Sequence, residues 1–339
     1  MNDVLEKDVN ILEAEFYSKP FYFSYSSLNT LLDAPSKFYK EYVLKDKDRE
    51  IAKYLLEGVL IHYLVLDGLD FDSKFIVAPE SLPSESSMEI IQAVFKEHTR
   101  RTDKVDLPLA DYSDIILEKL KEKNLHQRLK EDEQRVKKIA DVKGEAFFEF
   151  LKIKGTRTII DSALLDKCSR RAEIVKSDEC IRKLIGLDLQ HDGHNIGIYN
   201  ELEISAEANK YKFGFKGIVD NLVVDVVNKK VTINDFKTTG KSLVKFEESV
   251  EHWNYWLQCC MYIDLVKDFL KDVIDGSWEV SFNFIVFDRN NQLYAFPVSD
   301  KTLSHWYHKS YQVFDDANYH IVNKEFDLPQ AFALGKIKL

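Results

Sequence analysis

Residues Tyr211 to Thr239 read YKFGFKGIVDNLVVDVVNKKVTINDFKTT, and the fold class turns on how this stretch pairs with itself. β-Branched and aromatic residues dominate both halves. Asn228, Lys229 and Lys230 between them form a turn, so two strands of one hairpin are predicted. Side chains alternate across a strand. Ile218, Asp220, Leu222 and Val224 therefore share one face, and Val231, Ile233, Asp235 and Lys237 share one face of the next strand. Two acids and a lysine among inward apolar neighbours require partners or a metal, because an unpaired buried charge is costly.

The chemistry that uses such a set is metal-assisted hydrolysis of a phosphodiester. A hard divalent ion takes oxygen ligands, and two carboxylates with a backbone carbonyl hold it while leaving room for water and phosphate. A lysine one pleat beyond the second acid can orient the attacking water or stabilise charge on the phosphate. The chain shows Asp220, then fourteen residues, then Asp235-Phe236-Lys237. An isolated D-x-K triplet is more simply a surface hairpin with ordinary charges. The apolar faces and the preceding Asp argue against that plain reading here.

GIVDNL (217–222) and INDFKTT (233–239) resemble the core of the PD-(D/E)xK nuclease superfamily, in its RecB, RecE and lambda-exonuclease branch. That branch shows G-x-x-D, an acid-x-Lys-Thr strand end, then a helix with Gln and Tyr. YWLQCCMY follows in this chain, with Tyr255, Gln258 and Tyr262 on one face of a helix from about Glu247 to Leu270. The resemblance implies an α/β fold, a restriction-endonuclease-like core in which helices flank a mixed central sheet, with a long helical insertion. It implies Mg²⁺ or Mn²⁺ held by Asp220, Asp235 and the Phe236 carbonyl, with Lys237 positioning the water and Gln258 in support.

Further positions attach to the same resemblance. Ile51 to Leu66 is a strong helix whose stripe Ile51, Leu55, Gly58 and His62 buries the histidine. A lone buried His is commonly a satisfied core residue. In the family a G-x-x-x-H helix faces its His to the metal, and the glycine lets it approach the sheet. Ile198 to Ala206 and Tyr211 to Asp220 read as a hairpin around Ala208-Asn209, which puts Glu201, Glu203 and Asp220 on one side. A glutamate here recurs beside the family's metal; Glu203 is preferred to Glu201, since a one-step change in the turn alters the pairing.

FYFSYSSLNTLLDAPSKFYKEYVL (21–44) predicts a helix capped by Ser24, Ser26 or Ser27 and ended by Pro35, which starts a second. It resembles the DNA entry wall of the same branch. Lys37 and Lys40 there are possible phosphate contacts, as are Thr238, Tyr255 and Tyr262 near the acids. Residues 88 to 190 form a charged helical region, with a break over Thr99 to Ala110 and solvated runs such as KEKNLHQRLKEDEQRVKK. His191 and His194 in HDGHNIG read as a polar loop and not a metal pair. One nuclease domain over 1–339 is expected, with 88–190 inserted and a catalytic core at about 198–270 plus helix 51–66.

Composition sets broad bounds. Of 339 residues 45% are hydrophobic, ample for a core, and 12 Gly and 7 Pro argue against long disordered stretches. No apolar run is long enough to span a membrane, and MNDVLEKDVN is not a signal peptide. A net charge of −10 excludes indiscriminate coating of DNA but not a local basic channel. The four cysteines form no C-x-x-C pair, consistent with a reducing cytoplasm. Branch relatives with an iron–sulfur cluster have a Cys before a Pro near the N-terminus and three near the C-terminus. Here Ala34-Pro35 stands first and no Cys follows Cys260, so no cluster is expected.

The resemblance therefore implies a DNA exonuclease that leaves a 3′ overhang for recombination or repair in a phage-type setting. A homo-oligomer and a single-strand annealing recombinase are its expected partners. An endonuclease with the same site, or a non-catalytic DNA-binding protein, is the alternative.

Overall fold

The computed structural model describes residues 11–46, 53–66, 70–100, 106–192, 194–208 and 210–337. Ile51 of the predicted stripe, and Gly193 and Asn209 of two predicted turns, lie outside them, as does the side chain of Leu55. The strands are β1 (Phe21–Phe23), β2 (Phe75–Val77), β3 (Thr158–Ile160), β4 (Ile196–Glu207), β5 (Phe213–Asp225), β6 (Lys230–Thr238), β7 (Glu279–Phe287) and β8 (Leu293–Pro297). The helices used below are α1 (Tyr25–Asp33), α2 (Lys53–Val65), α3 (Glu85–Arg100), α4 (Val142–Lys154), α5 (Glu179–Leu184), α6 (Tyr255–Phe269) and α7 (Asp300–Asn323). Among the described residues no helix is long and apolar enough to cross a membrane.

The chain divides into two compact units, Met1–Leu69 with Arg171–Leu339, and Asp70–Arg170. The second overlaps the expected insertion without sharing its bounds. It holds the parallel pair β2–β3 and a core of Ile90, Ile91 and Val94 on α3 with Phe147, Phe148 and Leu151 on α4. β3 falls inside the stretch read as helical beyond the break over Thr99 to Ala110. Only three residues long, it leaves no alternating pattern to see.

The first unit is built on a mixed six-stranded sheet in the order β1-β5-β6-β7-β8, with β4 on the other edge of β5. β4–β5, β5–β6 and β7–β8 are antiparallel, whereas β1–β5 and β6–β7 are parallel. A parallel step needs a crossover. The segment between β6 and β7 supplies it, with α6 as its main helix. The predicted single helix there breaks at Asn254, whose φ of 56° is the left-handed turn that Asn tolerates. Ser24 caps α1 in a reciprocal capping box with Ser27, and Pro35 opens the next short helix. Leu28, Leu31, Val219, Leu222, Val231, Ile233, Leu257 and Phe284 meet in one core.

Helix α2 is pinned by a buried cation. Arg171 is 4% exposed. It pairs with Glu57 of α2, donates from Nε to Asn291 Oδ1 at 2.8 Å and from Nη2 to Asp288 O at 3.1 Å. Its guanidinium also lies over the Phe287 ring at 5.2 Å. By contrast, a Cβ placed on Gly58 meets no described atom within 4 Å. The expected close approach of the helix through that glycine is therefore corrected: the guanidinium anchors α2 instead. Removing one partner of a buried ion pair strands the other, so Arg171→Leu will lose about 3–5 kcal/mol of stability. A urea unfolding curve measures this.

Candidate active site

The site begins where two strands part. β5 and β6 pair from Asp225↔Lys230 to Asn221↔Asn234 and no further. Beyond that rung the Phe236 N–H donates to Asp220 Oδ2 at 2.7 Å, so a carboxylate takes the place of a backbone acceptor. Carrying the registers on by one residue sets Glu201 of β4 across from Asp220, and Asp220 across the opening from Asp235. Three acids thus occupy one rung of three adjacent strands.

Glu201 has a φ of 49°, rare for a non-glycine residue inside a strand. The alternation changes phase there. Val219 and Leu222 are both in the core, Tyr199 and Leu202 both pack against it, and Ile218 is 44% exposed. Hence Ile218 does not share the inward face of Leu222 and Val224, as strict alternation predicted. The preference for Glu203 is corrected for the same reason. Glu203 is exposed opposite Ile218, whereas Glu201 reaches His62.

His62, Glu201 and Asp220 form the one group of possible metal ligands among the described residues, with ligand atoms within 4.8 Å of one another. His62 Nδ1 lies 2.6 Å from Glu201 Oε1. A carboxylate only accepts, so Nδ1 carries the proton and Nε2 is left facing the cluster. Nε2 is buried with no hydrogen-bond partner and sits 3.5 Å from Asp220 Oδ2, too far for a hydrogen bond. An orphaned imidazole nitrogen between carboxylates fits a divalent cation. Burial alone would lower the His62 pKa, but Asp220 and Glu201 outweigh it and hold it up.

Asp235 stands beside this group, fully buried. Its Oδ1 accepts from Gln258 Nε2 of α6 at 2.9 Å. Its Oδ2 is ion-paired with the Lys237 ammonium. Burial raises its pKa to about 6; Lys237 opposes this and Asp220 adds to it. For Lys237 burial works against the charged form, but Asp235 and then Asp220 prevail and raise its pKa. Its ammonium also lies 5.0 Å over the Tyr255 ring. Val231, Ile233, Asp235 and Lys237 do share one face, since the first two are in the core and the others meet α6.

The remaining expected positions are scattered. Phe236 gives its N–H to Asp220 and its ring lies 5.5 Å from that of His62. Thr238 ends β6, partly exposed. Tyr262 is buried with its ring against Gly217, where a Cβ would stand 2.7 Å from it, so it is a core residue. Lys37 and Lys40 are exposed and loosely paired with Glu41 and Asp46. His191 accepts the Ile198 N–H and His194 belongs to a turn on Asp192, as a loop reading requires. Sequence reasoning missed Tyr25, whose hydroxyl donates to Trp253 O at the start of α6, and a set of buried asparagines next to the acids. Their only signal was an Asn beside each acid.

A family model for the PD-(D/E)XK nuclease superfamily matches residues 22–291. The chain belongs to the PD-(D/E)XK nuclease superfamily. This superfamily member is a metal-dependent nuclease for which DNA is the substrate class, and its His62, Glu201 and Asp220 are the described residues able to hold the cation. A crystal structure of a candidate exonuclease from Eubacterium rectale is similar at 12% identity and a TM-score of 0.45, covering 94% of this chain and 88% of that one. No curated protein compared with the chain matches it.

Glu201→Gln will weaken Mn²⁺ binding roughly 10–100-fold by calorimetry, while Glu203→Gln will leave it unchanged. The titrations make a second prediction. An acid with a raised folded pKa stabilises the fold at low pH and loses that contribution as pH climbs from its ordinary value through about 6. A histidine with a raised pKa likewise contributes below its ordinary 6.5 and loses it above the folded value. Both signs agree. In EDTA the melting temperature will fall between pH 5 and pH 8, and Mn²⁺ will restore it at pH 8 much more than at pH 5.

Proposed function

We propose that the protein is a Mg²⁺- or Mn²⁺-dependent DNA exonuclease of the RecB, RecE and lambda-exonuclease branch, degrading one strand from a duplex end to leave a 3′ overhang. The observation that carries the nuclease reading is the shared rung of Glu201, Asp220 and Asp235, with His62 and Lys237 on either side. The exonuclease and the branch rest on the sequence resemblance of residues 217–222, 233–239 and 255–262.

In this reading His62 Nε2 and Asp220 hold the cation, Glu201 fixes the His62 tautomer, and Asp235 adds a carboxylate. The bound cation would polarise the scissile phosphate and lower the pKa of a water. Lys237, ion-paired with Asp235, would neutralise charge that develops on the phosphate oxygens. Gln258 holds Asp235 Oδ1, so that Oδ2 is the oxygen turned to the site. Tyr255 packs beneath the ammonium and restricts where it can move. Thr238, at the end of the same strand, would meet the next phosphate in this reading. A ring-like homo-oligomer and an annealing recombinase as partner belong to the same proposal, as does a catalytic core of 198–270 with helix 51–66.

The test is a linear duplex labelled at its 5′ or 3′ end, incubated with Mg²⁺, Mn²⁺ or EDTA beside a closed circle. Metal-dependent loss of the linear molecule alone is expected, with the label giving the polarity. Lys237→Ala will slow it on the order of 10²–10³-fold and Asp235→Asn at least as much. Cutting of the circle would make the protein an endonuclease. Cleavage that survives both substitutions would sink the proposed site.

A further inference from the structure

Four asparagines lie on one line across the sheet. Asn200 of β4 is paired with Asn221 of β5, Asn221 with Asn234 of β6, and Asn234 with Asn283 of β7. Their amides form a directed chain. Asn283 Nδ2 donates to Asn234 Oδ1 at 3.2 Å, Asn234 Nδ2 to Asn221 Oδ1 at 2.8 Å, and Asn221 Nδ2 to Asn200 Oδ1 at 2.8 Å. The second protons are used as well. Asn234 Nδ2 donates to Leu184 O at 3.0 Å and Asn221 Nδ2 to Ile185 O at 3.1 Å, the carbonyls where α5 ends. Asn221 and Asn234 are fully buried and Asn283 nearly so.

Such a row is a poor choice for packing alone. Apolar residues would fill the same sheet interior without desolvating three amides. A satisfied polar chain enforces register instead, because a slip of either strand breaks several of its bonds together. Its position matters. Each of the three asparagines on β4, β5 and β6 is covalently next to one acid of the site: Asn200 to Glu201, Asn221 to Asp220 and Asn234 to Asp235. Asn221↔Asn234 is also the last paired rung before β5 and β6 part. Past it no backbone ladder fixes the distance between Asp220 and Asp235, and Glu201 sits in a distorted stretch of β4.

We infer that Asn221, Asn234 and Asn283, with Asn200 at the end of the chain, are positioning residues that set the spacing of Glu201, Asp220 and Asp235 for the cation. This rests on the nuclease reading of the same site. The asparagines touch neither substrate nor cation; they act through the strands.

The experiment compares wild type with Asn234→Leu, with the milder end-of-chain variant Asn283→Ser, and with Val231→Ala as a core control away from the acids. Three quantities are measured on each: the urea midpoint, the Mn²⁺ Kd by calorimetry without DNA, and kcat and KM on linear duplex. Asn234→Leu is expected to weaken Mn²⁺ binding and lower kcat, each roughly 10–100-fold, with KM little changed. Asn283→Ser will shift both in the same direction by less. Val231→Ala will lower the urea midpoint and leave Kd and kcat in place. If the asparagine variants lose stability as the control does, with Kd and kcat unmoved, the row is packing only and the inference fails. Should Asn234→Leu not fold, Asn283→Ser decides by the same criterion. Wild type that neither binds Mn²⁺ nor cleaves would defeat the nuclease reading, and this inference with it.

Discussion

The hydrogen bond from the Phe236 N–H to the Asp220 carboxylate is the interaction on which the rest depends. An antiparallel pair normally gives its amide protons to backbone carbonyls. Here a side chain takes one, so β5 and β6 can separate without leaving a buried donor unpaired. The separation opens the sheet at its centre, where burial is deepest and electrostatic interactions are strongest. It also lets β5 serve two partners on one edge, β6 at one end and β1 at the other.

Concentrating carboxylates in this opening creates a problem that the protein meets with positive charge nearby. Lys237 is held against Asp235, and His62 between Glu201 and Asp220. Burial first, and then Asp220, raises the Asp235 pKa, and the orphaned Nε2 of His62 faces the same carboxylates, so three acids stand against one lysine and one histidine, an imbalance of charge. A metal site is the natural consequence of that imbalance.

The helices matter because they deliver single side chains to the opening. Arg171 ties α2 to the β7–β8 turn, and α2 carries His62. The crossover between the parallel strands β6 and β7 brings Gln258 and Tyr255 over Asp235 and Lys237. The topology thus supplies ligand, orienting amide and cation from segments nearly two hundred residues apart.

Much of this was legible in the chain. The strands of residues 211–239, the face shared by Asp235 and Lys237 and the serine cap before α1 follow from patterns only a few residues long, which local sterics and alternation govern, whereas the approach of Gln258 was implied by the family resemblance. What the sequence could not give is the choice of Glu201 over Glu203, the exposure of Ile218, the burial of Tyr262 or the row of asparagines. Each depends on contacts made across strands or between helix and sheet, and the first two on one residue, Glu201, held in the left-handed region against its own preference. Local patterns assume regular alternation. Only the assembled sheet decides where that alternation is broken, because the strain at Glu201 is tolerable only with His62, Asp220 and the neighbouring strand in place.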